Sequence, residues 1–319
     1  MKAASKHYKD ADQDLWLNKS KLIIQHISQE LKNKYIYFPD LLQYLAIERR
    51  QLAELLKDEK ANLFGSFCIE TIVGSEAILN DIVNREEVIP IVESLLKQGE
   101  ITEHGVNLTF KNPFKYLFPE SDHRKKREKA IWASDTLHKN NFGLGNAYHT
   151  LLENYKYGYN DHLSKIFKND DGHIGLMYRN YNKYNLVGDY FAAQALYDDL
   201  LNWNPKSDID LFMASAAKFS YLMTHGFFVH RGMAAITEWI IRGIASHHGL
   251  QLGDFHEDTV GWPWRALITP NLEDYIRWFK ENSYMIKPIK ENTKLSTFFS
   301  PLKIEVNSTI QIPNTNELS

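Results

Sequence analysis

The chain has 319 residues, 44% of them hydrophobic, with 17 Tyr, 17 Phe and 7 Trp. That is more aromatic surface than a disordered chain keeps solvated, and length enough for two domains. A formal net charge of -3, from 37 Lys plus Arg against 40 Asp plus Glu, excludes a whole-chain basic field for nucleic acid or an anionic membrane. The one cysteine, Cys68, excludes an internal disulfide. With no secretory signal and no apolar run near the roughly 20 residues that span a bilayer, the expected place is the cytoplasm, or a host cell reached through a specialised secretion machine.

Residues 12–33 carry Leu15, Leu17, Leu22, Ile23, Ile27 and Leu31 at helical spacing, and Pro39 opens a second amphipathic helix over 39–58. A break at Ala46–Arg49 would make its halves a helix-turn-helix. A helix over 88–96 and an alternating stretch from Ile101 to Phe110 around a His-Gly turn give the outline of a winged helix. Residues 1–130 hold equal numbers of basic and acidic side chains, 20 of each, so a protein-contact role is expected there rather than nucleic-acid reading.

Prolines and acids over 112–122 mark a domain boundary. Beyond it the pattern predicts a helix over 147–155, a turn over 169–175, and a strand or extended loop over 176–184. Helices over 190–203, 208–223 and 231–248 follow, the last stopped by Gly249. The expected organisation is an N-terminal helical, winged-helix-like domain over 1–120, a mainly α domain over 121–286 and a C-terminal tail over 287–319.

Chemistry concentrates between His225 and His248. A short loop joins two apolar helices there, and the unpaired amides opening the second helix suit phosphate or another anion. Gly232 permits close backbone approach, Arg231 offers a charge-assisted fork, and His225 is the right type for a general base at neutral pH. The plain alternative is that His225 and His230 close a helix-helix turn and that Glu238 and Arg242, four apart on one helix, form an ion pair.

This order of elements resembles the Fic family (the Fic/Doc, or Fido, fold), in which a hairpin flap precedes two helices joined by HPFx[D/E]GNGRxxR. The stretch from Gly175 through Tyr178 to Tyr184 sits where the flap lies. His225 matches the histidine base, Phe227 the phenylalanine and Gly232 the second glycine. Gly226 stands for the proline, Val229 for the acidic magnesium ligand, His230 and Arg231 for Gly-Asn, and Met233 and Ile236 for the arginines.

The resemblance implies a mainly α, Fic-like core with a short β-hairpin flap. It implies a nucleotidyltransferase-like enzyme that moves a phosphate-containing group, for example AMP, from a nucleotide such as ATP with Mg2+ onto a target protein. His225 and Glu238 would be catalytic, and His230, Arg231, Gly232, Arg242 and Tyr178 would bind the nucleotide; no metal ligand is assigned. The alternative is a catalytically inactive helical protein that grips a partner, its Trp262–Trp264 loop included. Two further patterns carry less weight: His149 with Glu153 on one helical face is common by chance, and a metal cluster of His247, His248 and His256–Asp258 is awkward because adjacent helical histidines point in different directions.

Overall fold

The structure is a computed structural model, and it describes residues 10–65, 75–78, 89–98, 100–102, 105–110, 162–168, 174–179, 185–226, 228–229, 231–255 and 261–287. Among these the fold is mainly α. Helices α1 (Asp10–Asn33), α2 (Phe38–Leu55) and α3 (Ile89–Gln98) are followed by α4 (Asn185–Leu201), α5 (Ile209–Gly226) and α6 (Met233–His247). Two short helices, α7 (Trp262–Ile268) and α8 (Leu272–Asn282), come last. None of the described helices is long and apolar enough to cross a membrane.

Helix α6 organises the rest. Every residue from Ile236 to Ala245 is buried, and a helix buried on all sides must be enclosed by others. Helices α1, α2 and α5 pack around it. On α1 the stripe Trp16, Ile23, Ile27 and Leu31 faces inward, repeating at the seven- and four-residue steps of one helical face. The approach is closest at Gly243, where an added Cβ would lie 2.5 Å from Ile27 Cγ2, so the helix accepts a glycine that costs about 1 kcal/mol of propensity relative to alanine. Trp16 meets Trp239 with ring centroids 5.8 Å apart. Residues from 16–56 and from 192–284 thus share one apolar core, while the boundary expected over 112–122 lies outside the described residues.

Helix α2 runs unbroken through Ala46–Arg49, so the expected helix-turn-helix is not formed there. Nothing in Ala-Ile-Glu-Arg breaks a helix, and Leu45, Arg49 and Leu52 keep one buried register across it. Helix α4 begins a turn earlier than expected, with Gly188 having masked its start, and α5 extends three residues farther, to Gly226.

Seven strands are described. The five-stranded antiparallel sheet runs β1 (Ser75–Ile78), β5 (Ile174–Arg179), β4 (His162–Lys168), β3 (Gly105–Phe110), β2 (Glu100–Thr102). The hairpin expected over 101–110 is therefore present as β2 and β3, and β4 pairs along its other side. The strand expected over 176–184 is β5, which ends at Arg179. A separate two-stranded antiparallel sheet pairs β6 (Gln251–Phe255) with β7 (Tyr284–Lys287) across the two helices between them, and β6 contacts α6.

Candidate functional site

His225 lies in the last turn of α5 rather than in the loop after it, 3% exposed. Its Nδ1 is 2.8 Å from the Tyr221 carbonyl, an acceptor only, so Nδ1 carries the proton and donates. In the neutral ring, Nε2 is then the basic nitrogen. The imidazole also lies against the Tyr221 ring, centroids 4.3 Å apart. Burial pushes the Tyr221 phenol well above its ordinary range, and its hydroxyl stays protonated, donating to the Thr269 carbonyl at 3.0 Å.

Past Gly226 the chain crosses to α6 through Phe228 and Val229, both buried. Arg231 is exposed, and its carbonyl accepts from the Gly65 amide at 3.1 Å in a short parallel bridge between Phe64 and Arg231. Gly232 follows as the N-cap of α6 with φ at 94°, a conformation that disfavours other residues, and no side chain caps the helix there. A Cβ at Gly232 would come within 2.5 Å of Arg49 Cγ.

Arg49 is the residue that the sequence reading missed. It reaches the start of α6 from α2, 6% exposed, with its guanidinium 3.9 Å from the Phe64 ring centroid and 5.0 Å from that of Trp16. The signal was a cation in the buried register, four residues after Leu45 and three before Leu52. Two arginines and the positive end of a helix with no acid in its first turn therefore gather at one place, and such a group attracts anions.

Glu238 and Arg242 occupy another face of α6, toward β6. Arg242 Nε donates to Glu238 Oε1 at 2.8 Å, Nη1 to the Leu252 carbonyl at 2.7 Å and Nη2 to the Gly253 carbonyl at 2.9 Å. Its guanidinium also packs against the rings of Tyr284 and Phe255. Burial raises the Glu238 carboxyl, offset in part by the Arg242 charge. For Arg242, burial works toward a lower value, yet the attraction of Glu238 and Tyr284 prevails and keeps the cation protonated. The ion-pair reading of these two residues is the arrangement observed.

Tyr178 sits on β5, its backbone in register with Ser75 and Ser164. His230, His149, Glu153 and His256–Asp258 lie outside the described residues. The rings of His247 and His248 do not diverge as expected but meet 5.0 Å apart, because His248 turns inward to donate from Nε2 to the Leu200 carbonyl at 3.0 Å and to pack edge-on against Trp203. The aromatic stretch at Trp262 is the first turn of α7 rather than a loop, since Pro263 is well placed at a helix start; Trp262 is buried.

The residues at the α6 N-terminus fit phosphate oxygens by charge and by their donor chemistry. They do not fit a magnesium ion: the acid position is filled by buried Val229, Glu238 is committed to Arg242, and no cluster of three metal-binding side chains occurs among the described residues.

No protein-family model matches the chain, and neither does any curated protein.

Proposed function

We propose that this chain is a divergent Fic-like transferase that moves a phosphate-containing group, such as AMP, from a nucleotide to a hydroxyl of a target protein, with His225 as the base. The observation that carries this reading is the fixed imidazole. A histidine whose Nδ1–H is tied to a backbone carbonyl presents Nε2 as acceptor, the form needed to take a hydroxyl proton. The hydroxyl oxygen forms the new bond to the α-phosphorus, the bond to the leaving pyrophosphate breaks, and the proton stays on Nε2. Arg231, Arg49 and the opening amides of α6 supply positive charge for the phosphates. Glu238 and Arg242 are not needed in this scheme, and no step is assigned to magnesium.

A second reading is a catalytically inactive helical protein that binds a protein partner. The burial of His225 and the full commitment of Arg242 favour it. Mass spectrometry of the chain and of candidate target proteins, after incubation with a panel of nucleotides and Mg2+, separates the two. The transferase reading expects an added mass with wild type that is lost in a folded His225→Ala variant. Partner binding unaffected by His225→Ala, with no mass added from any donor, establishes the second reading instead.

A further inference from the structure

Tyr221 touches the candidate base twice. Its carbonyl, which also lies where the last turn of α5 closes, accepts the His225 Nδ1–H at 2.8 Å, and its ring lies 4.3 Å from the imidazole, the planes inclined at 39°. A backbone carbonyl at this position is available from any residue. The distinguishing feature of tyrosine is the far end of its side chain, where the hydroxyl donates to the Thr269 carbonyl at 3.0 Å and also lies 3.3 Å from the Pro270 carbonyl. Those carbonyls belong to the corner between α7 and α8, 48 residues farther along the chain. The same ring packs against Tyr275 from α8, centroids 5.2 Å apart, and Tyr275 is itself bonded to Ser220 at 2.9 Å.

An aromatic side chain held at both ends cannot swing about its χ angles, so the face it shows to the imidazole is fixed by a remote corner of the fold rather than by α5 alone. We propose that Tyr221 is a positioning residue for His225: its tethered ring holds the imidazole in the plane where Nδ1–H meets the Tyr221 carbonyl, and so keeps Nε2 as the proton acceptor. This rests on the reading of His225 as the base. The role belongs to the hydroxyl of Tyr221, which ties the ring on α5 to the distant corner between α7 and α8.

The test uses the full chain labelled with 15N-histidine, with the long-range 1H–15N correlations of His225 assigned by their loss in His225→Gln. Wild type is expected to show the Nδ1–H tautomer. Tyr221→Phe keeps the ring and the carbonyl and removes only the tether, and should shift the tautomer ratio roughly fivefold toward Nε2–H, the factor carried by one hydrogen bond of ordinary net strength. Tyr275→Phe removes a neighbouring buried hydroxyl and should leave the ratio unchanged, which separates positioning from general loosening of the core. With a working donor, Tyr221→Phe should lower kcat by about tenfold at unchanged nucleotide KM, a fraction of what a general base contributes.

An Nε2–H tautomer in wild type overturns the proposal without any variant having to fold. So does an unchanged ratio in Tyr221→Phe, or an equal shift in Tyr275→Phe. The tautomer is read without turnover, so a wild-type chain that holds Nδ1–H yet transfers nothing refutes the transferase reading and not the tether.

Discussion

Replacing Arg242 by methionine should be among the most damaging single changes in the described core. The variant keeps much of the aliphatic stem and deletes three donors, leaving the Glu238 carboxylate and the carbonyls of Leu252 and Gly253 without them. The Glu238 side chain is only 11% exposed, so its orphaned charge has little access to water. Removing one partner of a buried ion pair costs about 3–5 kcal/mol, against a total stability of about 5–15 kcal/mol for a folded domain. The loss should be largest above neutral pH, because the Glu238 carboxyl is already raised by burial and escapes the penalty by taking a proton as the pH falls. Equilibrium urea unfolding at pH 8 measures it. The double variant Glu238→Met with Arg242→Met, which removes both charges, should recover at least about 2 kcal/mol of the loss. An Arg242→Met variant within about 1 kcal/mol of wild type, or a double variant no better than the single one, would refute the argument that this pair is a desolvated clasp between α6 and β6.

Gly243→Ala should destabilise by about 1–3 kcal/mol despite its better helix propensity, since the new Cβ would sit 2.5 Å from Ile27 Cγ2. Thermal unfolding of Gly243→Ala in an Ile27→Val background should show a smaller penalty, and equal penalties in both backgrounds would count against the close approach. Arg231→Ala removes an exposed side chain and should keep wild-type stability; on the proposed function it should weaken nucleotide binding about 10- to 100-fold in calorimetry, as loss of a charge-assisted contact to phosphate predicts. Glu238 has a folded-state pKa above its unfolded value, so its contribution is fully present below the ordinary glutamate value and is lost as the pH rises through the folded one. Wild type should therefore lose stability relative to Glu238→Gln as the pH is raised from 4 upward; a difference independent of pH contradicts that sign.

The helices were legible because burial leaves a periodic trace. Trp16, Ile23, Ile27 and Leu31 on α1, and the near-continuous apolar run of α6, announce their faces without any tertiary information. Helix α8 carries a readable signal too: Asn271 accepts from the amides of Glu273 and Asp274, and Tyr275, Ile276 and Phe279 follow on one face. The short strands were harder. Gln251–Phe255 offers five residues and one buried side chain, Leu252, too little alternation to distinguish a strand from a loop. The site residues divided along the same line. A pair four apart, such as Glu238 and Arg242, is visible in the sequence, whereas the two carbonyls that complete its bonding are set by how the chain turns back after Gly249. Arg49 and Tyr221 act through contacts with residues 183 and 48 positions away, Gly232 and Thr269, which no local pattern encodes.

The position of each charge along α6 then limits what the helix can do. Its acid lies within the second turn, buried and neutralised by a cation one turn later, so the middle of the helix is a structural joint. Its first turn has the opposite character: no acid, no side-chain cap, and two arginines drawn in from α2 and from the preceding loop. The partial positive charge of a helix N-terminus and a nearby arginine both favour an anion over a cation at such a place. On the proposed function, the burden therefore rests on the junction of α5 and α6 rather than on Glu238 and Arg242. In the transferase reading the geometry of one histidine separates transfer from binding, because a nucleotide at that junction would be a substrate only with Nε2 placed to take a proton beside it.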